Sequence, residues 1–133
     1  KYFFRIPIIS TAAVSHVCMP VLLKKGYGAL LLDANNELAG HAAFQQQVQG
    51  SEKTWHVFSV EVQKRFRGMG LAQYAIESLI QYARSRGIPR IRVGAGGHRT
   101  IEHIMEKFAA KDDLGIVSLG DNWIGINPSQ QPL

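Results

Sequence analysis

Apolar and polar positions alternate through the middle of the chain, and the period then lengthens. Gly28 to Asp33 is an apolar run and Leu38 to Val48 a longer, more polar one, with Ala-Asn-Asn-Glu between them. That punctuation predicts two strands joined by a tight turn. Gly50-Ser51-Glu52-Lys53 breaks the pattern. From Thr54 to Val62, His56, Phe58, Val60 and Val62 alternate with Trp55, Val57, Ser59 and Glu61, the period of a strand with one mainly apolar and one mixed face. Further on, Ala72, Ala75, Ile76, Leu79, Ile80 and Ala83 recur at i, i+3, i+4, i+7 spacing and predict a helix that ends near Arg86-Gly87, with Pro89 beyond. Arg90 to Val93 reads as a short strand, and Ile101, Ile104, Met105 and Phe108 mark a second amphipathic helix. Ile116 to Leu119 and Trp123 to Ile126 flank Gly-Asp-Asn as a terminal hairpin.

The start of the chain is less regular. Tyr2 to Ile9 fits a strand, while Thr11 to Lys25 has room for little more than one helix. Pro20 should kink or break that helix near Met19, because a proline inside a helix costs about 3 kcal/mol or more. The sum is β-β-β-α-β-α-β-β behind an N-terminal segment. It predicts a single α/β domain over residues 1–133, a mixed and mostly antiparallel central sheet with flanking helices. The first helix crosses over to a following strand, so some pairing is parallel. No internal repeat, low-complexity tract or linker divides the chain.

Composition narrows the class. With 133 residues, 46% hydrophobic and 19% charged, the chain makes one globular domain that buries roughly two thirds of its unfolded surface. No apolar run approaches the roughly 20 residues that cross a bilayer, and no signal peptide pattern stands at the start, so no membrane association is expected. Lys1 is not an initiator methionine, which suggests a trimmed chain or a piece of a larger protein. The lone Cys18 excludes an internal disulfide and a Cys-rich zinc site. It points to a reducing, cytoplasmic setting and is read as a small buried hydrophobe. The formal charge of +5 invites either nucleic acid or a small anionic ligand. Of the fifteen basic residues, Lys64, Arg65, Arg67, Arg84, Arg86, Arg90 and Arg92 fall between one glycine loop and the next strand. A nucleic-acid surface would interleave aromatics with that charge, so the small anion is favoured over nucleic acid; a merely solvated basic face is the remaining reading.

The glycine loop is Val62-Gln-Lys-Arg-Phe-Arg-Gly-Met-Gly-Leu-Ala72, which passes from a strand into a helix. Gly68 and Gly70 let the backbone approach an anion closely. The first-turn N–H groups behind them lack intrahelical partners and carry the positive end of the helix dipole. A second glycine segment, Gly94-Ala-Gly-Gly97, fails the dinucleotide fingerprint because Arg99 occupies the last glycine position, and no P-loop run occurs.

The pattern R-x-x-G-x-G at Arg65, Gly68 and Gly70, within Phe58 to Ala72, resembles the acyl-CoA-binding loop of the GNAT superfamily of N-acyltransferases, and the order of elements over residues 27–126 is similar to that family's. The resemblance implies acetyl-CoA as acyl donor, with its pyrophosphate on the amides from Phe66 to Ala72, a segment that includes Arg67, Met69 and Leu71. Arg65 adds charge, and the backbone groups of Val60 and Val62 would hydrogen-bond the pantetheine. It implies direct attack by an amine, without an acyl-enzyme and without a metal. The family's usual strand and two acceptor-side helices are short or truncated in residues 1–26, so the acceptor is a small-molecule or protein amine of unread identity.

Direct attack needs a neutral amine and hence a base. His56 stands six residues before Val62, on the same face by alternation and roughly 20 Å back along the strand. A histidine at this spacing takes part in proton removal in some family members. Glu61 lies closer to the expected thioester but on the opposite face unless a bulge intervenes. Glu52, in a loop, ranks third. The family's asparagine and tyrosine after strand five correspond to His98 and Met105; His98 would contact the cofactor or cap its helix, whereas methionine cannot donate a proton. Two further readings are a catalytically silent acyl-CoA-binding or regulatory domain of a larger protein, and a basic RNA-binding module. A homodimer is compatible with all three.

Overall fold

The computed structural model describes residues 17–23, 26–33, 35–94, 99–109 and 115–127. Seven strands form one sheet: β1 (Val17–Leu23), β2 (Gly26–Leu32), β3 (Leu38–Gln49), β4 (Glu52–Val62), β5 (Arg90–Val93), β6 (Ile116–Gly120) and β7 (Trp123–Ile126). Their order is β1-β2-β3-β4-β5-β7-β6. Every neighbouring pair is antiparallel except β4 and β5. The helix α1 (Leu71–Ser85) makes the crossover between those two parallel strands, and α2 (Arg99–Ala109) connects β5 to β6. The expected mixed sheet with flanking helices is therefore present, with one strand more than the sequence pattern gave over these residues.

That extra strand corrects the reading of Thr11–Lys25 as helical. Val17–Leu23 pairs with β2 from Val17↔Leu32 to Leu23↔Gly26, and Pro20 sits opposite Ala29. β1 ends the sheet. Proline is tolerated on an edge strand, because its missing N–H deprives no second neighbour of a bond. The same residue that would break a helix therefore leaves this strand intact. The strand expected at Tyr2–Ile9 lies outside the described residues.

Both helices bury their apolar stripes in one hydrophobic cluster. Tyr74, Ala75, Ile76, Leu79, Ile80 and Ala83 of α1 share it with Leu31, Phe44, Trp55, Val57 and Ile91 of the sheet. Aromatic rings join the layers, with Phe44 4.6 Å from Trp55 and Trp55 5.2 Å from Tyr82. From α2, Ile101, Ile104 and Phe108 enter the same cluster. Each fully buried side chain of this size contributes roughly 1.5–3 kcal/mol. The far end of α1 is held by buried Arg84, which donates to Gln81 Oε1 at 2.7 Å and to the carbonyls of Gly115 at 3.0 Å and Asn127 at 3.1 Å.

The pairing of β3 with β4 contains one irregularity that decides the geometry of the site. Phe44 is opposite Val57, but Ala43 is opposite Ser59, so Phe58 is an extra residue. Such a bulge reverses the alternation beyond it. Val60 and Val62 thus share the helix-bearing face with Trp55 and Val57, while Glu61 shares the other face with His56. Both face assignments made from simple alternation, His56 with Val62 and Glu61 opposite them, are corrected by this single residue. The close approach of the strands past the bulge depends on Gly40, where a Cβ would run into the Glu61 carbonyl oxygen and stand 3.1 Å from Val62 Cα. Gly40→Ala is expected to destabilise the fold by about 1–3 kcal/mol through overpacking, read as a lower midpoint of urea or thermal unfolding. An unchanged midpoint would show that the strands part there without cost.

Candidate functional site

The parallel pairing of β4 with β5 runs only from Thr54↔Arg90 to Val57↔Val93. Its last bond is from the Gly94 N–H to the Val57 carbonyl at 2.8 Å. β4 continues to Val62 beside β3 alone among the described residues, so the sheet opens as a V whose apex lies at Val57 and Gly94. The Gln63 N–H turns inward to the Ala39 carbonyl at 2.8 Å. Alternation then directs the backbone groups of Val62 and Val60 into the V. The Val62 carbonyl already accepts from Arg67 Nε at 3.1 Å, which folds the loop over the strand end.

The loop delivers a helix N-terminus to the mouth of the V. A 3-10 turn over Lys64–Phe66 is followed by Arg67 in extended conformation. Gly68 (φ 82°) and Gly70 (φ 80°) both occupy the left-handed region, where an L side chain is strained. The first α1 bond is Tyr74 N–H to Gly70 carbonyl at 3.0 Å, so the N–H groups of Leu71, Ala72 and Gln73 have no intrahelical partner. No side chain caps the helix among the described residues, and its first turn contains no acidic residue. Above Gly68 the space is open, with nothing within 4 Å of where a Cβ would lie. Together these features form an anion cradle: N–H groups with no partner among the described residues, an uncompensated dipole, and room.

A cleft of about 1000 Å³ lies between this cradle, the free edge of β4 and α2. Val60, Val62, Phe66, Arg67, Gly68, Gly70, Leu71 and Ala72 line it, as does Glu61 at its rim. Arg65 turns away: its Nη2 pairs with Glu37 Oε2 at 2.9 Å, and its guanidinium lies 4.7 Å from the Phe66 ring centroid. Met69 is exposed in the same loop without lining the cleft, and His98 lies outside the described residues. The opposite wall was not foreseen. Gln73, Ile101, His103, Ile104 and Lys107 line the cleft, and only the periodicity of α2 hinted that one of its faces was turned inward.

His56 stands at the apex, on the sheet face away from the helices. Its ring meets Trp123 edge-on at 4.9 Å, and its Nε2 is buried with no hydrogen-bond partner among the described residues. Burial, and secondarily the Arg92 guanidinium, hold the imidazole below its ordinary value of 6.5, so it is neutral at pH 7. Glu61 is solvated and faces His41 Nε2 at 3.8 Å. Cys18 is fully buried, and burial pushes its thiol up to about 12, far from the thiolate that a nucleophile requires. Met105 is half-buried against the core. Among the described residues, no group of three or more His, Cys, Asp or Glu side chains is placed to hold a metal, and no helix is long and apolar enough to cross a membrane.

An open V beside a parallel strand pair, with a glycine-rich helix N-terminus at its mouth, is the arrangement that the sequence's resemblance to the GNAT superfamily implies. The profile of the acetyltransferase (GNAT) family matches residues 10–109, and the chain belongs to that family. No curated protein matches the sequence. Among solved structures, the chain is 20% identical to a candidate acetyl transferase from Pyrococcus furiosus, covering 61% of this chain and 56% of that one with a TM-score of 0.54. A spermidine N-acetyltransferase chimera from Vibrio cholerae is 15% identical over 80% of this chain and 68% of its own, with a TM-score of 0.56. The NatC complex bound to Gag peptide and CoA is similar at 12% identity over 74% and 67%, with a TM-score of 0.55. At such identities the likeness is one of fold, and the chain spans between 56% and 68% of these relatives' lengths.

Proposed function

We propose that this chain is an N-acyltransferase that moves an acetyl group from acetyl-CoA to an amine. The observation that carries the reading is the cradle at Gly68–Gln73, whose unpaired N–H groups and open space suit a pyrophosphate. CoA is bound in one structural relative. Acetyl-CoA supplies the thioester that is to be attacked. The chain's own residues do the rest. The amides of Leu71, Ala72 and Gln73 hold the phosphates, with the positive charge of Arg67 beside them. The Val60 backbone hydrogen-bonds the pantetheine amides as a partner strand would. Four residues of extended strand, from Val62 back to Phe58, span roughly 13 Å, which brings the acyl end to the apex at Val57 and Gly94.

His56, two residues before the bulge and on the face away from the helices, is the base. Neutral at pH 7, it takes a proton from the ammonium form of the acceptor directly or through one water, and leaves a free amine to attack. The acceptor enters from the His56 face, since the donor occupies the helix face. Glu61, solvated at the cleft rim, is the weaker candidate. A spermidine enzyme and a peptide-bound complex among the relatives fit an amine acceptor, and we infer a cytoplasmic setting.

Met105, standing where the family's proton donor is expected, favours one second reading, a silent acyl-CoA-binding domain. Thiol release from acetyl-CoA in the presence of polyamines, arylalkylamines and peptides separates the two. Acceptor-dependent release is expected. CoA binding without release for any amine would leave the silent domain, and absence of CoA binding would remove both.

A further inference from the structure

The helix wall of the cleft contains a polar pair that the acyl-donor reading does not yet use. Gln73, third residue of α1, is only 6% exposed, and its Nε2 has no hydrogen-bond partner among the described residues. Its Oε1 accepts from Lys107 Nζ of α2 at 3.4 Å, a long bond to a neutral acceptor. Lys107 is exposed, and no ion pair involves it among the described residues. His103, one turn earlier on the same face, lies 3.6 Å from Glu106. An exposed lysine ordinarily disperses its ammonium in solvent. Here a buried amide draws that ammonium across the gap between the helices, toward the same first turn whose backbone N–H groups have no partner among the described residues. Backbone donors, the dipole end and a side-chain cation thus converge on one volume, and α1 contributes no acid to its first turn.

We propose that Lys107, with Gln73 as its positioning residue, closes the cleft from the α2 side by binding a phosphate of the acyl donor. The proposal rests on the acyl-CoA reading above. An incoming phosphate offers the ammonium an anionic acceptor in place of a neutral one, and with it a shorter, stronger bond. The flexible lysine stem permits that shift without movement of either helix.

The test is calorimetric titration of CoA and 3′-dephospho-CoA into the wild-type chain and into Lys107→Gln, Lys107→Arg and Gln73→Leu, at low and high salt. Lys107→Gln is expected to weaken CoA about tenfold at low salt, with the deficit fading at high salt because exposed charge is screened. Lys107→Arg should restore most of the affinity, and Gln73→Leu should show a smaller loss with the same salt dependence. If the Lys107→Gln deficit persists with dephospho-CoA, the phosphate is the pyrophosphate; if it vanishes, it is the 3′-phosphate, and either supports the pair. Wild-type affinity in Lys107→Gln, or a loss equal at low and high salt, overturns the proposal while leaving the acyl-CoA reading in place. A wild-type chain that binds no CoA overturns both.

Discussion

Replacing His56 with glutamine is expected to lower kcat by about 10²- to 10⁴-fold, with acetyl-CoA affinity changed by no more than about twofold. Glutamine keeps the size and one hydrogen-bonding end but cannot carry a proton. The sign of the pH dependence follows from the environment. Burial and then Arg92 lower the imidazole pKa below 6.5, so the base form is complete at neutral pH and is lost only as pH falls further. The wild-type rate should therefore be flat near pH 7, with an acid limb below 6.5 that is absent from the variant. Stability should move in the same sense. The unfolded chain takes up the proton more readily than the folded one, so folding weakens as pH falls through the unfolded value of about 6.5. The variant should lose that contribution as well. Wild-type turnover at every pH would remove His56 from the reaction. A loss as large in Glu61→Gln would transfer the role to the rim carboxylate.

The order of elements was legible because each change of period has a local cause. The passage from strand to glycine loop to α1 could be read from residues 54–83 alone, since Gly68, Gly70 and the Ala72–Ala83 stripe act within their own turn. What was not legible depends on partners distant in the chain. Nothing marks Phe58 as supernumerary, because the bulge exists only where β3 meets β4, and one extra residue there exchanged the faces of Glu61 and Val62. Pro20 announced a break but not which element would break; the edge position that makes a strand acceptable is a property of the whole sheet. The basic cluster was likewise overcounted as a ligand site. Arg65 is engaged with Glu37, Arg90 Nε with Glu52 at 2.7 Å, and Arg92 with Asp121 at 3.1 Å. Arg67 of that cluster does line the cleft, and Lys107, outside the cluster in sequence, lines it from the α2 side.

Gly70→Val is expected to weaken CoA binding by at least about 100-fold while leaving a folded chain. Gly70 holds φ 80° and ψ 18° as the residue before α1. A non-glycine residue there costs about 1–2 kcal/mol, and more when β-branched. That penalty is relieved by turning the residue toward ordinary dihedrals, which redirects the N–H groups that follow it. If the cradle loses two charge-assisted hydrogen bonds of about 1.5–3 kcal/mol each, affinity falls by some two to four orders of magnitude. Gly68→Ala isolates the backbone component. Its φ of 82° is equally left-handed, but its Cβ meets open space and it stands two residues further from the helix amides. It should cost comparable stability and less affinity. Calorimetry with CoA and a melting curve for each variant separate the two quantities. Retention of wild-type CoA affinity in a folded Gly70→Val chain would mean that the phosphates are held by side chains rather than by the amides of α1.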